Sequence, residues 1–243
     1  MTLVFASILF LVGFASGIAG IYLHGKITRD VKVLLAFSGA YLLALSLLHL
    51  LPEIYIHLSY DAGLYILAGF GVQMVMDYFS RGVEHGHIHQ EVSVKSSFPL
   101  GIYLSLFLHS LIEGLPLGGG FDHHHGDHGF HTESLLAGIA IHKIPEAIAL
   151  AAILFYVFRQ RRKVLFYIGI YALATPLGVF LGEFVLARFA ANPTDLYAKV
   201  LAFSVGIFLH VGTTIIFEAD ESHRLSWRKS LAIILGIGLV LLL

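Results

Sequence analysis

The 243-residue chain contains no cysteine. That excludes disulfides and thiolate ligands, so any metal site must use His, Asp, Glu or backbone oxygen. Charge is scarce too. Asp, Glu, Lys and Arg make up 13% of the residues; the net charge of −1 says nothing about partners, and no basic groove for nucleic acid is evident. No stretch is long enough to serve as a linker between domains, and no soluble appendage is evident. The first apolar run begins at residue 3 with no basic segment before it, and it is too long for a signal-peptide core. It therefore reads as a retained span.

What the chain has in excess is hydrocarbon. Apolar residues account for 57% and the mean hydropathy is +0.83, too apolar for a soluble domain of this length. A membrane crossing needs about 20 mostly apolar residues. The pattern predicts eight crossings in a single transmembrane domain, over residues 3–23, 33–52, 64–79, 98–120, 134–158, 164–186, 196–217 and 227–243. The third and eighth of these are short.

Lys and Arg are distributed unevenly between the connecting loops. Twelve of the 15 lie on one side: Lys26, Arg29, Lys32, Arg81, Lys95, Arg159, Arg161, Arg162, Lys163, Arg224, Arg228 and Lys229. Only Arg188 and Lys199 lie on the other, and Lys143 falls inside a span. The positive-inside rule then predicts both termini outside the cytoplasm.

Two spans carry ionisable pairs. His109-Ser-Leu-Ile-Glu113 and His142-Lys-Ile-Pro-Glu146 each set a histidine and a glutamate four residues apart. Residues at i and i+4 share a helix face. Ionisable groups inside a bilayer are costly and mark ion or proton pathways. Two facing pairs would offer four N/O ligands, suited to a borderline divalent ion such as zinc. The loop at 118–131 holds His123, His124, His125, His128 and His131 among glycines and two aspartates, a metal-collecting composition. The opposite loop at 84–95 holds His85, His87 and His89. These loops flank the intramembrane pairs and outline a route through the membrane. Pro116, Pro145 and Pro176 interrupt spans 4, 5 and 6, each removing a backbone N–H. Gly178 and Gly182 form a GxxxG, which permits close helix approach whether the interface is fixed or moving.

His109 to Gly114 and His142 to Glu146 together resemble the fourth- and fifth-helix signatures of the ZIP (Zrt/Irt-like) metal transporters. His49-Leu-Leu-Pro-Glu53, Pro176-Leu-Gly178 and Gly206 to Val211 resemble further elements of that family. The resemblance implies an all-α integral membrane protein of eight helices, with helices 1–3 and 6–8 as inverted repeats around helices 4 and 5. It implies alternating access of the elevator kind and transport of Zn²⁺, with Fe²⁺, Mn²⁺ or Cd²⁺ as further substrates in some members. His109, Glu113, His142 and Glu146 would be the ligands, while His49, Glu53 and the loop histidines would belong to the pathway.

The chain departs from the two-metal members of that family at two positions. Lys143 and Thr175 stand where those members carry further acids, so a single metal is expected in the site, with the Lys143 ammonium in the place of a second ion. Ser110 is either a weak ligand or a serine bonded to its own helix backbone. Asp77, Glu84, Glu183 and His210 are isolated polar groups that carry no assignment. The readings that compete with zinc uptake are an efflux antiporter and an intramembrane metallohydrolase, although no His-Glu-x-x-His motif is present. A prokaryotic cytoplasmic membrane is the expected location, divalent ions and lipid are the expected partners, and a homodimer is left open.

Overall fold

The computed structural model describes residues 1–23, 28–80, 82–83, 98–119, 132–218 and 226–243. Every element among the described residues is helical, with no strands. The main elements are α1 (Thr2–Leu23), α2 (Thr28–Leu45), α3 (Leu51–Leu58), α4 (Ala62–Ser80), α5 (Leu100–Gly114), α6 (Thr132–Phe158), α7 (Arg161–Ala172), α8 (Ala174–Phe189), α9 (Pro193–Glu218) and α10 (Trp227–Val240).

Prolines set several of the helix breaks. Pro52 cannot donate to the carbonyl of Leu48, and the turn before it, Ser46–Leu50, widens into π register. The Leu51 N–H there reaches back five residues to the Ser46 carbonyl. Pro116 withholds the donor for Ile112, and the chain tightens into a 3-10 turn, Leu115–Gly118. The Leu115 N–H then takes the freed Ile112 carbonyl, so that acceptor is met by backbone. Pro176 withholds the donor for Ala172, the residue at which α7 ends. α6, by contrast, runs unbroken through Pro145.

Six stretches of the described residues are long and apolar enough to cross a membrane: Thr2–Tyr22, Val31–Ser80, Leu100–Gly118, Thr132–Phe158, Arg161–Phe189 and Pro193–Phe217. The sequence predicts eight, and the difference has two sources. The runs at 33–52 and 64–79 merge into one 50-residue stretch, interrupted at Ser59 where φ is 51°. The run at 227–243 yields α10, whose 14 residues reach only about 21 Å at 1.5 Å per residue. The outer faces of these helices leave large apolar side chains such as Leu3, Leu67, Phe166 and Phe184 exposed. Lipid, unlike water, accepts such a surface without penalty.

The helices pack as two groups. α1, α5, α6, α7 and α8 form one, with α1 along α6 and α5 along α8. α2, α3, α4, α9 and α10 form the other, with α4 along α9 and α2 along α10. Glycine makes the closest crossings possible. A Cβ on Gly114 would strike the Thr175 carbonyl, and one on Gly178 would strike the Leu111 carbonyl, so α5 and α8 meet backbone to backbone. The groups touch each other chiefly where α2 meets α6 and α4 meets α5, and also where α9 meets α8 and the Leu115–Gly118 turn.

Candidate metal centre

α5 and α6 bring the two His/Glu pairs together in the interior. His109, Glu113, His142 and Glu146 are each at most 1% exposed. Glu113 Oε1 lies 3.1 Å from His109 Nε2 and 4.0 Å from His142 Nε2. The imidazole rings stand at 76° with centroids 6.1 Å apart. His109, His142 and Glu146 offer ligand atoms within 4.8 Å of one another, a spacing that can hold a metal ion.

Both rings are held from behind through Nδ1. The Gln73 carboxamide oxygen on α4 lies 2.9 Å from His109 Nδ1. The Ser38 hydroxyl on α2 donates to the Leu35 carbonyl at 3.1 Å and lies 3.4 Å from His142 Nδ1, so its lone pair faces the ring. The Gln73 contact calls for a hydrogen on His109 Nδ1, and the Ser38 contact accommodates one on His142 Nδ1. In a neutral ring that leaves the Nε2 lone pair facing inward. Two such lone pairs and the Glu113 carboxylate then converge on a small volume. Electron-rich atoms in a low dielectric favour a cation there.

Lys143 occupies the other side of the carboxylates. Its Nζ donates to Glu113 Oε2 and Glu146 Oε2, each at 2.6 Å, and to Ser110 Oγ at 2.9 Å. The stem passes Gly13 of α1, and the ammonium lies 5.7 Å from the centre of the Tyr171 ring. Two carboxylates and one ammonium leave the cluster with a net charge of −1 when both imidazoles are neutral. Ser110 does not bond its own helix backbone, one of the two roles expected for it. Its hydroxyl accepts from Lys143 and donates to Glu146 Oε1 at 3.4 Å. The reason is tertiary: α6 presents a stronger donor and a stronger acceptor than the α5 backbone.

The other sequence candidates lie apart from this cluster or outside the described residues. Thr175 is buried on α8, its carbonyl against Gly114, one residue beyond Glu113. His49 is half-buried in the π turn, with Nε2 3.4 Å from the Val240 carbonyl at the end of α10. Glu53 is half-buried on α3. His85, His87, His89, His123, His124, His125, His128 and His131 lie outside the described residues, as does Glu84. Asp77 accepts from the Ser80 hydroxyl at 3.4 Å, His210 packs edge-on against Phe70, and Glu183 is exposed.

Sequence reasoning missed Gln73, Ser38 and Tyr171. A lone carboxamide inside the apolar run at 64–79 was the one signal for Gln73. Ser38 and Tyr171 look like ordinary membrane-helix residues.

Apolar helices around a buried His/Glu group that fits a metal ion define a multi-pass membrane protein of the metal-handling kind. The ZIP zinc transporter family model matches residues 84–243, well over half of the chain. The protein belongs to the ZIP zinc transporter family, and that membership implies transport of divalent metal ions.

Proposed function

We propose that this protein carries Zn²⁺ into the cytoplasm, one ion at a time, through a site built from His109, Glu113, His142 and Glu146. The observation that carries the reading is the inward convergence of two imidazole Nε2 atoms and Glu113 Oε1, with both Nδ1 atoms engaged elsewhere. His and carboxylate ligands without thiolates suit zinc, while Fe²⁺, Mn²⁺ and Cd²⁺ are competitors of the same charge. The Lys143 ammonium, bonded to one oxygen of each glutamate, supports occupancy by a single metal. It holds the carboxylate face that a second ion would need.

Alternating access is supported by the packing of the helices as two groups, with both ligand helices in the same one. The long stretch Val31–Ser80 has more than twice the length of a crossing of about 20 residues, which supports two spans there. With α10 as a final short crossing, the chain would have eight spans and both termini outside, following the Lys/Arg bias. Arg159 over Tyr156, Arg161 over Tyr22 and Lys163 over Phe158 form a cation–aromatic belt suited to a membrane interface on the side read as cytoplasmic.

Purified protein in sealed liposomes loaded with a metal-sensitive dye tests the reading. Zinc should enter, and competing Cd²⁺, Fe²⁺ and Mn²⁺ should rank below it. Zinc binding with no flux would exclude a transporter.

A further inference from the structure

We propose that Gln73 is a positioning residue for the metal, acting on His109 across the boundary between the two helix groups. The proposal rests on the reading of His109 as a ligand. Gln73 is fully buried on α4, which packs along α9 in the group that carries none of the four ligands. His109 is on α5, in the other group.

The bond decides which way the imidazole can be used. A carboxamide oxygen only accepts, so the 2.9 Å contact puts the ring hydrogen on Nδ1 and leaves the Nε2 lone pair for a cation. In the other neutral tautomer the hydrogen sits on Nε2, 3.1 Å from Glu113 Oε1. The two ligands would then bond each other, and both would be lost to the metal. Gln73 prevents that closure. It also raises the donor strength of Nε2, as an acceptor behind a metal-bound histidine does in general.

The same logic holds more weakly at His142. Ser38 on α2, also in the second group, spends its hydrogen on Leu35 and faces Nδ1 at 3.4 Å. Both supporting contacts therefore come from the group that does not carry the ligands. Any slide of one group past the other breaks the two together. Metal is then held at full strength only while the groups are docked as they are here, and a change of arrangement favours release.

The test uses the full-length chain and three variants. Zinc affinity is measured by competition with a fluorescent chelator, and uptake is measured in liposomes. Gln73→Leu should weaken zinc binding about 10–100-fold, the usual effect of losing such a supporting partner. The zinc concentration for half-maximal uptake should rise in step, with a maximal rate no lower than wild type. Gln73→Glu keeps an acceptor oxygen at the same reach and should bind zinc at least as tightly as wild type.

Wild-type affinity in Gln73→Leu, equal losses in both Gln73 variants, or a fall in maximal rate with unchanged affinity would each overturn the proposal. His109→Ala separates the two layers. If it binds zinc as well as wild type, the ligand reading itself fails. If it binds poorly while Gln73→Leu binds normally, the positioning role alone is lost.

Discussion

The Lys143 ammonium lies 2.6 Å from Glu113, a carboxylate on a different helix, and holds the oxygen that does not face the histidines. Glu113 is thus divided between a permanent cation on one side and the proposed metal on the other. The bond to Glu113, with the one to Ser110, ties α6 to α5 at this depth, while a second ion pair of equal length joins Lys143 to Glu146 within α6.

Replacing Lys143 with Met leaves two buried carboxylates facing each other. Breaking a buried pair by removing one partner costs about 3–5 kcal/mol, so the metal-free protein should melt at markedly lower temperature. Zinc should recover much of that loss, giving a larger thermal shift than in wild type. An unchanged melting temperature without metal would show that Lys143 is not the counter-charge.

Lys143→Asp should go further, because it removes a cation and adds a ligand. Zinc should be retained more tightly, with slower turnover in liposomes. The wild-type chain with its 118–131 histidines removed should hold one intramembrane zinc, measured by metal analysis or anomalous scattering. Two zinc ions there would refute the single-ion reading.

His142→Ala and Glu146→Ala should each reduce zinc flux to background while leaving membrane insertion intact. Each removes a ligand from a site where water is a poor replacement. Uptake is the measurement, normalised to protein in the membrane, and wild-type rates in both variants would remove these residues from the site.

Neutralising His123, His124, His125, His128 and His131 together should raise the zinc concentration for half-maximal uptake and spare the maximal rate. A loop that gathers ions acts on their supply and leaves the barrier alone. Loss of the maximal rate at normal expression would give the loop a direct part in transport.

Gly114→Ala tests one of the close helix crossings. Its Cβ would meet the Thr175 carbonyl, a backbone atom that cannot swing aside. Overpacking of this kind costs about 1–3 kcal/mol, and thermal unfolding of the purified protein should record it. Gly71→Ala, where nothing lies within 4 Å of the added atom, should be nearly silent in the same assay.

Much of this protein was legible in one dimension because local geometry decided it. Apolar runs of membrane length need no tertiary information to be recognised. The i,i+4 spacing placed His109 with Glu113 and His142 with Glu146 on single helix faces, whatever those faces met. The prolines marked breaks correctly at Pro116 and Pro176, but α6 carries Pro145 without interruption. Lys143 stood out in the same way, as an ammonium inside an apolar run of membrane length.

The partners themselves were decided only by packing. Which carboxylate oxygen faces Lys143 and which faces the imidazoles depends on how α5 and α6 rotate about their axes. Gln73 lies 36 residues from His109 and Ser38 lies 104 from His142, so no local period links either pair. The role of Ser110 turned on the same fact, since its hydroxyl bonds across to α6. Sequence set the chemistry available to each helix face. Tertiary structure chose which faces share a dry interior, where every polar atom must find a partner or a cation.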